Sequence, residues 1–178
     1  TNCGVYIHAG PEISVASTKA FSSQVAALSL MALRFARMHN LAADEGRKWV
    51  QGFHDAPQKV HAMLAHADRI KEIAAAFYTK PYTMFVGRGI SHPVAKEGAL
   101  KLKEIAYIPT DGLSGAEMKH GSLALIEDGT PVWAIVPPDE TRERMLGNLQ
   151  ELKARGAAIL SVAQEGDSDV ERLSHAMI

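Results

Sequence analysis

The sequence predicts an α/β protein in which a parallel β-sheet is covered by helices on both faces. Two observations lead there. Short apolar runs at Thr83–Val86, Pro131–Val136 and Ala157–Val162 are each closed by glycine or proline or lie beside them. Between them lie helix-like stretches of about 12–16 residues, and this strand–helix alternation is the pattern of βαβ units.

Each element has its own local reason. Gly4-Val5-Tyr6-Ile7-His8 reads as a short strand stopped by Gly10-Pro11. A long helix is expected from about Ser17 to Met38, because Phe21, Val25, Leu28, Ala32 and Phe35 fall on one helical stripe. Ala26, Ala27, Leu30, Met31 and Leu33 widen that stripe, which predicts burial on most sides. From Ala42 to Phe77 the pattern stays helical but more charged; Pro57 is expected to break it into at least two helices, and Asp68 to start a third. After the strand at Thr83, a helix from about His92 to Tyr107 carries Pro93 in its first turn. Pro109 to Gly115 reads as loop, Thr141 to Arg155 as amphipathic helix, and a new apolar stretch begins at the final residues.

Composition narrows the functional classes. With 47% hydrophobic and 22% charged residues, the chain has the makeup of a folded domain. A formal net charge of −1 supplies no basic field for nucleic acid. The longest apolar stretch, near Val25 to Leu33, falls short of the ~20 residues a membrane span requires. Cys3 is the one cysteine, so no intrachain disulfide forms, and a reducing, cytoplasmic setting is expected. It reads as a small half-buried residue more readily than as a nucleophile. No metal-ligand spacing is present and no cofactor is implied.

The helix after the first glycine turn holds the densest chemistry. Ala95, Ala99, Leu102 and Ala106 share one side, the expected core face. Glu97, Lys101 and Glu104 cluster roughly opposite. They form either a plain salt-bridge ladder or a general acid/base group with the lysine holding a carboxylate ionised. Downstream, His120 follows Lys119 in a glycine-flanked stretch and reads as a structural histidine or as a proton carrier. Ser17 and Thr18 open the first long helix, as plain caps or as part of an anion-holding end. Gly87-Arg88-Gly89 reads as an ordinary strand-to-helix turn.

Four blocks in register carry a resemblance. Ala9 to Phe21 (AGPEISVASTKAF) resembles the AGxEIGVASTKAF signature of the isomerase part of glutamine–fructose-6-phosphate aminotransferases, which is built from two sugar-isomerase (SIS) domains. Phe85-Val86-Gly87-Arg88-Gly89 resembles that family's FLGRG, Glu97 to Ile105 its EGALKLKEI, and Glu117 to Ile126 its ELKHGPLALI.

The resemblance implies a flavodoxin-like, three-layer α/β/α SIS fold with a parallel sheet, one near-complete domain plus the end of another. Residues 1–40 would end a first SIS domain, 41–80 would form a helical inter-domain connection, and 81–178 would be a second SIS domain truncated at its C-terminus. The family makes glucosamine 6-phosphate from fructose 6-phosphate and glutamine-derived ammonia. By position, Glu104 would carry the proton between C1 and C2, His120 would assist ring opening, and Lys101 would set the charge around them. The Val15 backbone and Ser17 hydroxyl would hold the sugar. A homodimer is implied, with His120 donated across subunits, and a glutaminase domain is expected in the full-length protein. A Ser/Thr-rich phosphate loop would lie upstream and a Schiff-base lysine downstream, so the stretch by itself is expected to be inactive. Ser122 stands where the family has proline, and Pro109 to Ser114 diverge. A stand-alone two-SIS-domain deaminase or isomerase of amino-sugar phosphates, and a non-catalytic phosphosugar-binding module, remain as alternatives.

Overall fold

A computed structural model describes residues 3–178. The chain divides into two compact units, Thr1–Ala67 and Asp68–Ile178.

The first unit is helical. Helix α1 spans Lys19–Met38 and α2 spans Ala43–Leu64. Residues 3–10 form no strand, contrary to the reading of Gly4–His8. A strand needs a neighbour to take up its backbone N–H and C=O groups, and the described residues of this unit contain no other strand. The predicted burial of α1 also fails. No residue of the helix is buried, and Leu28, Phe35 and Val25 are exposed, because within this unit only α2 is there to cover it. Pro57 does not break α2. It lies on an exposed part of the helix. The rest of a 22-residue helix absorbs the defect. The break falls instead at Ala65-His66, before α3, Ala67–Phe77.

The second unit holds the sheet. Strand β1 (Thr83–Gly87) leads through α4 (Ser91–Ala106) to β2 (Thr110–Ser114). A 3₁₀ turn at Ser122–Leu125 precedes β3 (Pro131–Val136), α5 (Arg142–Ala154), β4 (Ala158–Ala163), α6 (Ser168–Leu173) and β5 (Ala176–Met177). All pairings are parallel, in the order β2-β1-β3-β4-β5. This is the doubly wound, flavodoxin-like order, and it turns back at the β1/β3 boundary.

Alternation along the strands sorts side chains into two faces. Met84, Val86, Val132, Ala134 and Val136 pack against Met145, Leu149 and Leu152 of α5 and Val170 of α6, forming the fully buried core. On the other face Phe85 stacks on Trp133, with ring centroids 5.9 Å apart, and α4 lies against them. That gives three layers.

The stretch read as loop at Pro109–Gly115 is the edge strand β2. Its Thr-Asp-Gly-Leu-Ser sequence lacks an apolar run, and Gly112 looked like a turn residue. The glycine is there for a different reason. A Cβ on Gly112 would lie 2.4 Å from Lys96 Cα and 2.8 Å from Lys96 N, so the strand and α4 touch backbone to backbone. The final apolar stretch becomes β5, which α6 delivers to the edge beside β4. Arg142 ties that last segment down. Its Nε and Nη2 donate to the two oxygens of Asp167 at 2.8 and 2.7 Å, and Asp167 also accepts from Val170 N–H at the start of α6. The Arg142 guanidinium holds the Asp167 carboxyl down at about 2.

Candidate active site on the fourth helix

Helix α4 is set by its small residues. Ala95 and Ala99 are buried against the sheet as predicted, and Gly98 sits where a Cβ would come within 2.8 Å of the Phe85 ring. Close packing therefore fixes the first half of the helix in place. Leu102 is half-buried and Ala106 is exposed, so the expected core face stops short. Residues 103–107 are all exposed, and the helix ends on Tyr107 in the left-handed conformation at φ 57°.

With the helix held this way, Glu97, Lys101 and Glu104 converge. Lys101 Nζ lies 2.7 Å from Glu104 Oε2 and 3.5 Å from Glu97 Oε1. Side-chain exposures of 20% for Lys101, 21% for Glu97 and 34% for Glu104 leave these groups partly covered, less open than the i,i+3 pairs on α2. Hydrogen bonding to Glu104, reinforced by the charges of Glu104 and Glu97, raises the Lys101 pKa against the opposing effect of burial. The amine is a fixed cation between two acids.

His120 is presented differently. It is exposed on the turn that follows Gly115, and its backbone N–H donates to the Glu117 carbonyl. Two anchors hold that turn: Met118 is fully buried in the core, and Lys119 Nζ pairs with Glu151 Oε1 of α5 at 2.7 Å. Among the described residues no hydrogen bond or ion pair joins His120 to the α4 cluster. Sequence reading did not find Glu151, whose partner lies far along the chain.

Val15 and Ser17 belong to the other unit. Val15 is 99% exposed and Ser17 is half-buried. The cap of α1 departs from expectation. Thr18 occupies the N-cap position without making a side-chain cap bond, and Glu12 takes the free N–H groups instead. A carboxylate is the stronger acceptor there.

Gly87-Arg88-Gly89 is a structural turn, as read. Arg88 Nε donates to Asn148 Oδ1 of α5 at 2.8 Å, and a Cβ on Gly87 would strike the Ser91 carbonyl at 2.4 Å. Cys3 is exposed, against the half-buried reading, because its segment joins no strand. Among the described residues no cluster of three or more histidine, cysteine or acidic side chains could hold a metal, and no helix is long and apolar enough to cross a membrane.

Strand order, parallel pairing and layers define a doubly wound α/β unit, and the acid–amine–acid array sits on its first crossover helix. The SIS domain family matches residues 76–178, more than half of the chain, and the chain belongs to that family. Glutamine–fructose-6-phosphate aminotransferase (isomerizing) of Chlorobaculum tepidum is 42% identical over 178 residues, covering 100% of this chain and 29% of the relative. The protein of the same name from Thermococcus kodakarensis is 44% identical over 171 residues, covering 96% of this chain and 28% of the relative. Among solved structures, the C-terminal domain of glucosamine-fructose-6-phosphate aminotransferase from Francisella tularensis matches with a TM-score of 0.89 at 38% identity. That match covers 96% of this chain and 49% of the other. The chain thus spans under a third of the length of these curated relatives.

Proposed function

We propose that this chain is part of the isomerase half of a glutamine–fructose-6-phosphate aminotransferase, acting on fructose 6-phosphate and ammonia drawn from glutamine to give glucosamine 6-phosphate. The observation that carries the reading is the clamped amine on α4, with Lys101 Nζ 2.7 Å from Glu104 and 3.5 Å from Glu97. Moving a proton between adjacent carbons of an imine requires a carboxylate held in one position, and the Lys101 ammonium, 2.7 Å from Glu104 Oε2, supplies that hold. Glu104 is the base that takes the proton from C1 and returns it to C2. Lys101 offsets the acid charge of the cluster and holds Glu104 in place. His120, exposed on its anchored turn, donates a proton to the ring oxygen on opening, in the site of a partner subunit. The Val15 backbone and Ser17 hydroxyl hold the sugar.

This reading carries its organisation with it. Residues 1–40 close a first SIS domain, 41–80 connect, and 81–178 belong to a second. The working protein is a cytoplasmic homodimer whose glutaminase domain delivers the ammonia.

The test is Glu104→Gln in the full-length protein. Glucosamine 6-phosphate formation should fall by about 10²–10⁴-fold, the usual worth of a positioned acid/base, while fructose 6-phosphate still binds. Turnover within a few-fold of the parent would remove Glu104 as the base and favour a non-catalytic phosphosugar-binding module. Isomerisation of an amino-sugar phosphate without any response to glutamine would point to a stand-alone two-domain enzyme.

A further inference from the structure

The loop entering α1 is fastened from both ends. Glu12 Oε1 accepts from the Thr18 backbone N–H at 2.8 Å, from the Lys19 backbone N–H at 3.1 Å and from the Thr18 hydroxyl at 3.1 Å. In return, Lys19 Nζ donates to the Pro11 carbonyl at 2.6 Å. An acid before the loop thus grips the helix start, and a lysine on the helix grips the backbone beside that acid. Gly10 takes the left-handed turn at φ 67°, and the ring of Pro11 stiffens the entry.

Between the two grips lie Ile13, Ser14, Val15, Ala16 and Ser17. Inside the loop the Ala16 N–H donates to Ser14 Oγ at 3.2 Å, and Ala16 is buried while Ile13 and Val15 stand fully in solvent. A simple N-cap needs one side chain one position ahead of the helix. Here the cap comes from six residues upstream, and a reverse bond to Pro11 adds nothing to helix termination. What the pair of grips does fix is the course of the backbone from 12 to 19. Charge-assisted bonds at both closures are the stronger kind for that purpose. The Thr18 N–H, followed by the Thr18 and Ser17 hydroxyls, keeps the Glu12 carboxyl below the ordinary carboxylate range, so the grip stays charged at neutral pH.

We infer that Glu12 and Lys19 form a reciprocal clasp that positions the Val15 backbone and the Ser17 hydroxyl for the sugar. The inference rests on the sugar-holding role proposed above for those two residues. Glu12 and Lys19 act as positioning residues, through the loop and without touching substrate.

Steady-state kinetics of the full-length protein, with glutamine saturating and fructose 6-phosphate varied, separate the possibilities. Four variants are compared: Glu12→Ala, Glu12→Gln, Lys19→Met and Ser17→Ala. Loss of a charge-assisted, preorganising contact predicts that Glu12→Ala raises KM about tenfold with kcat within about threefold of the parent, the signature of lost uniform binding. Glu12→Gln keeps an acceptor oxygen in place and should recover most of that loss. Lys19→Met leaves the helix cap intact, opens only the other grip, and should still raise KM; it decides the matter if Glu12→Ala fails to fold. A parent-like KM in both Glu12→Ala and Lys19→Met, with lowered melting temperature alone, reduces the clasp to an ordinary helix cap and overturns the inference. In that case Ser17→Ala still tests the sugar site by itself. If Ser17→Ala also leaves KM unchanged, the sugar-holding role fails, and the clasp has nothing to position.

Discussion

Replacing Gly112 by alanine adds one methyl group at a backbone-to-backbone helix–sheet contact of the second unit. The added Cβ would lie 2.4 Å from Lys96 Cα, 2.8 Å from Lys96 N and 2.9 Å from the Ala95 carbonyl oxygen. Comfortable carbon contacts sit near 3.5–4.0 Å, so strand and helix must part by roughly 1 Å. All three obstacles are backbone atoms, and no side-chain rotation relieves them. Overpacking of this kind costs about 1–3 kcal/mol. Gly147, inside α5, is the internal control: nothing lies within 4 Å of its added Cβ, and alanine there should stabilise by about 0.5–1 kcal/mol. The chain has two tryptophans. In a Trp49→Phe background, Trp133, stacked on Phe85 under α4, reports unfolding of this unit by fluorescence. With m near 1–3 kcal/mol/M, the urea midpoint should drop by roughly 1 M for Gly112→Ala and rise for Gly147→Ala. Equal midpoints for Gly112→Ala and the parent would refute the claim that backbone contact is why position 112 is glycine. A lifted α4 also displaces Lys101 and Glu104, so the same substitution in the full-length protein should lower kcat.

Other substitutions probe separate parts of the structure. Because the Asp167 carboxyl titrates at about 2 when folded, below its ordinary 3.8, its pairing with Arg142 stabilises fully above that ordinary value and is lost as pH falls through about 2. The difference in urea midpoint between parent and Arg142→Met should therefore be constant above about pH 5 and close toward pH 2; a difference that persists at pH 2 contradicts the pairing as its source. Thr83→Val removes a buried hydroxyl that donates to the Pro131 carbonyl at 2.8 Å, at a cost of about 0.5–1.5 kcal/mol read as a lower midpoint.

What was legible in the sequence follows the range of the interaction involved. Runs such as Val132 to Val136 are strands in their own right because both sheet faces are covered, and the structure begins and ends β3 where the apolar run does. The Glu97, Lys101 and Glu104 array was visible because its spacing is internal to one helix. Position 112 was misread because glycine serves turns and close contacts alike, and only the opposing Lys96 backbone distinguishes them. The apolar stripe of α1 signals a need for cover, but not whether this chain provides it. Glu12 lay within a segment singled out for other residues. Its role depends on a loop geometry that brings an acid six positions upstream onto the helix start, which no periodicity encodes. Glu151 and Asn148, partners of Lys119 and Arg88, were equally silent.

The all-parallel connectivity carries a kinetic consequence. No two strands of this sheet are joined by a hairpin, so each pairing waits for an intervening helix or loop to close. The central contact is the slowest to be earned: Thr83 and Pro131 stand 48 residues apart in the chain. During synthesis β1 therefore emerges well before its inner neighbour exists, with only the short β1-α4-β2 unit available to shelter it. The backbone contact at Gly112 lies inside that early unit.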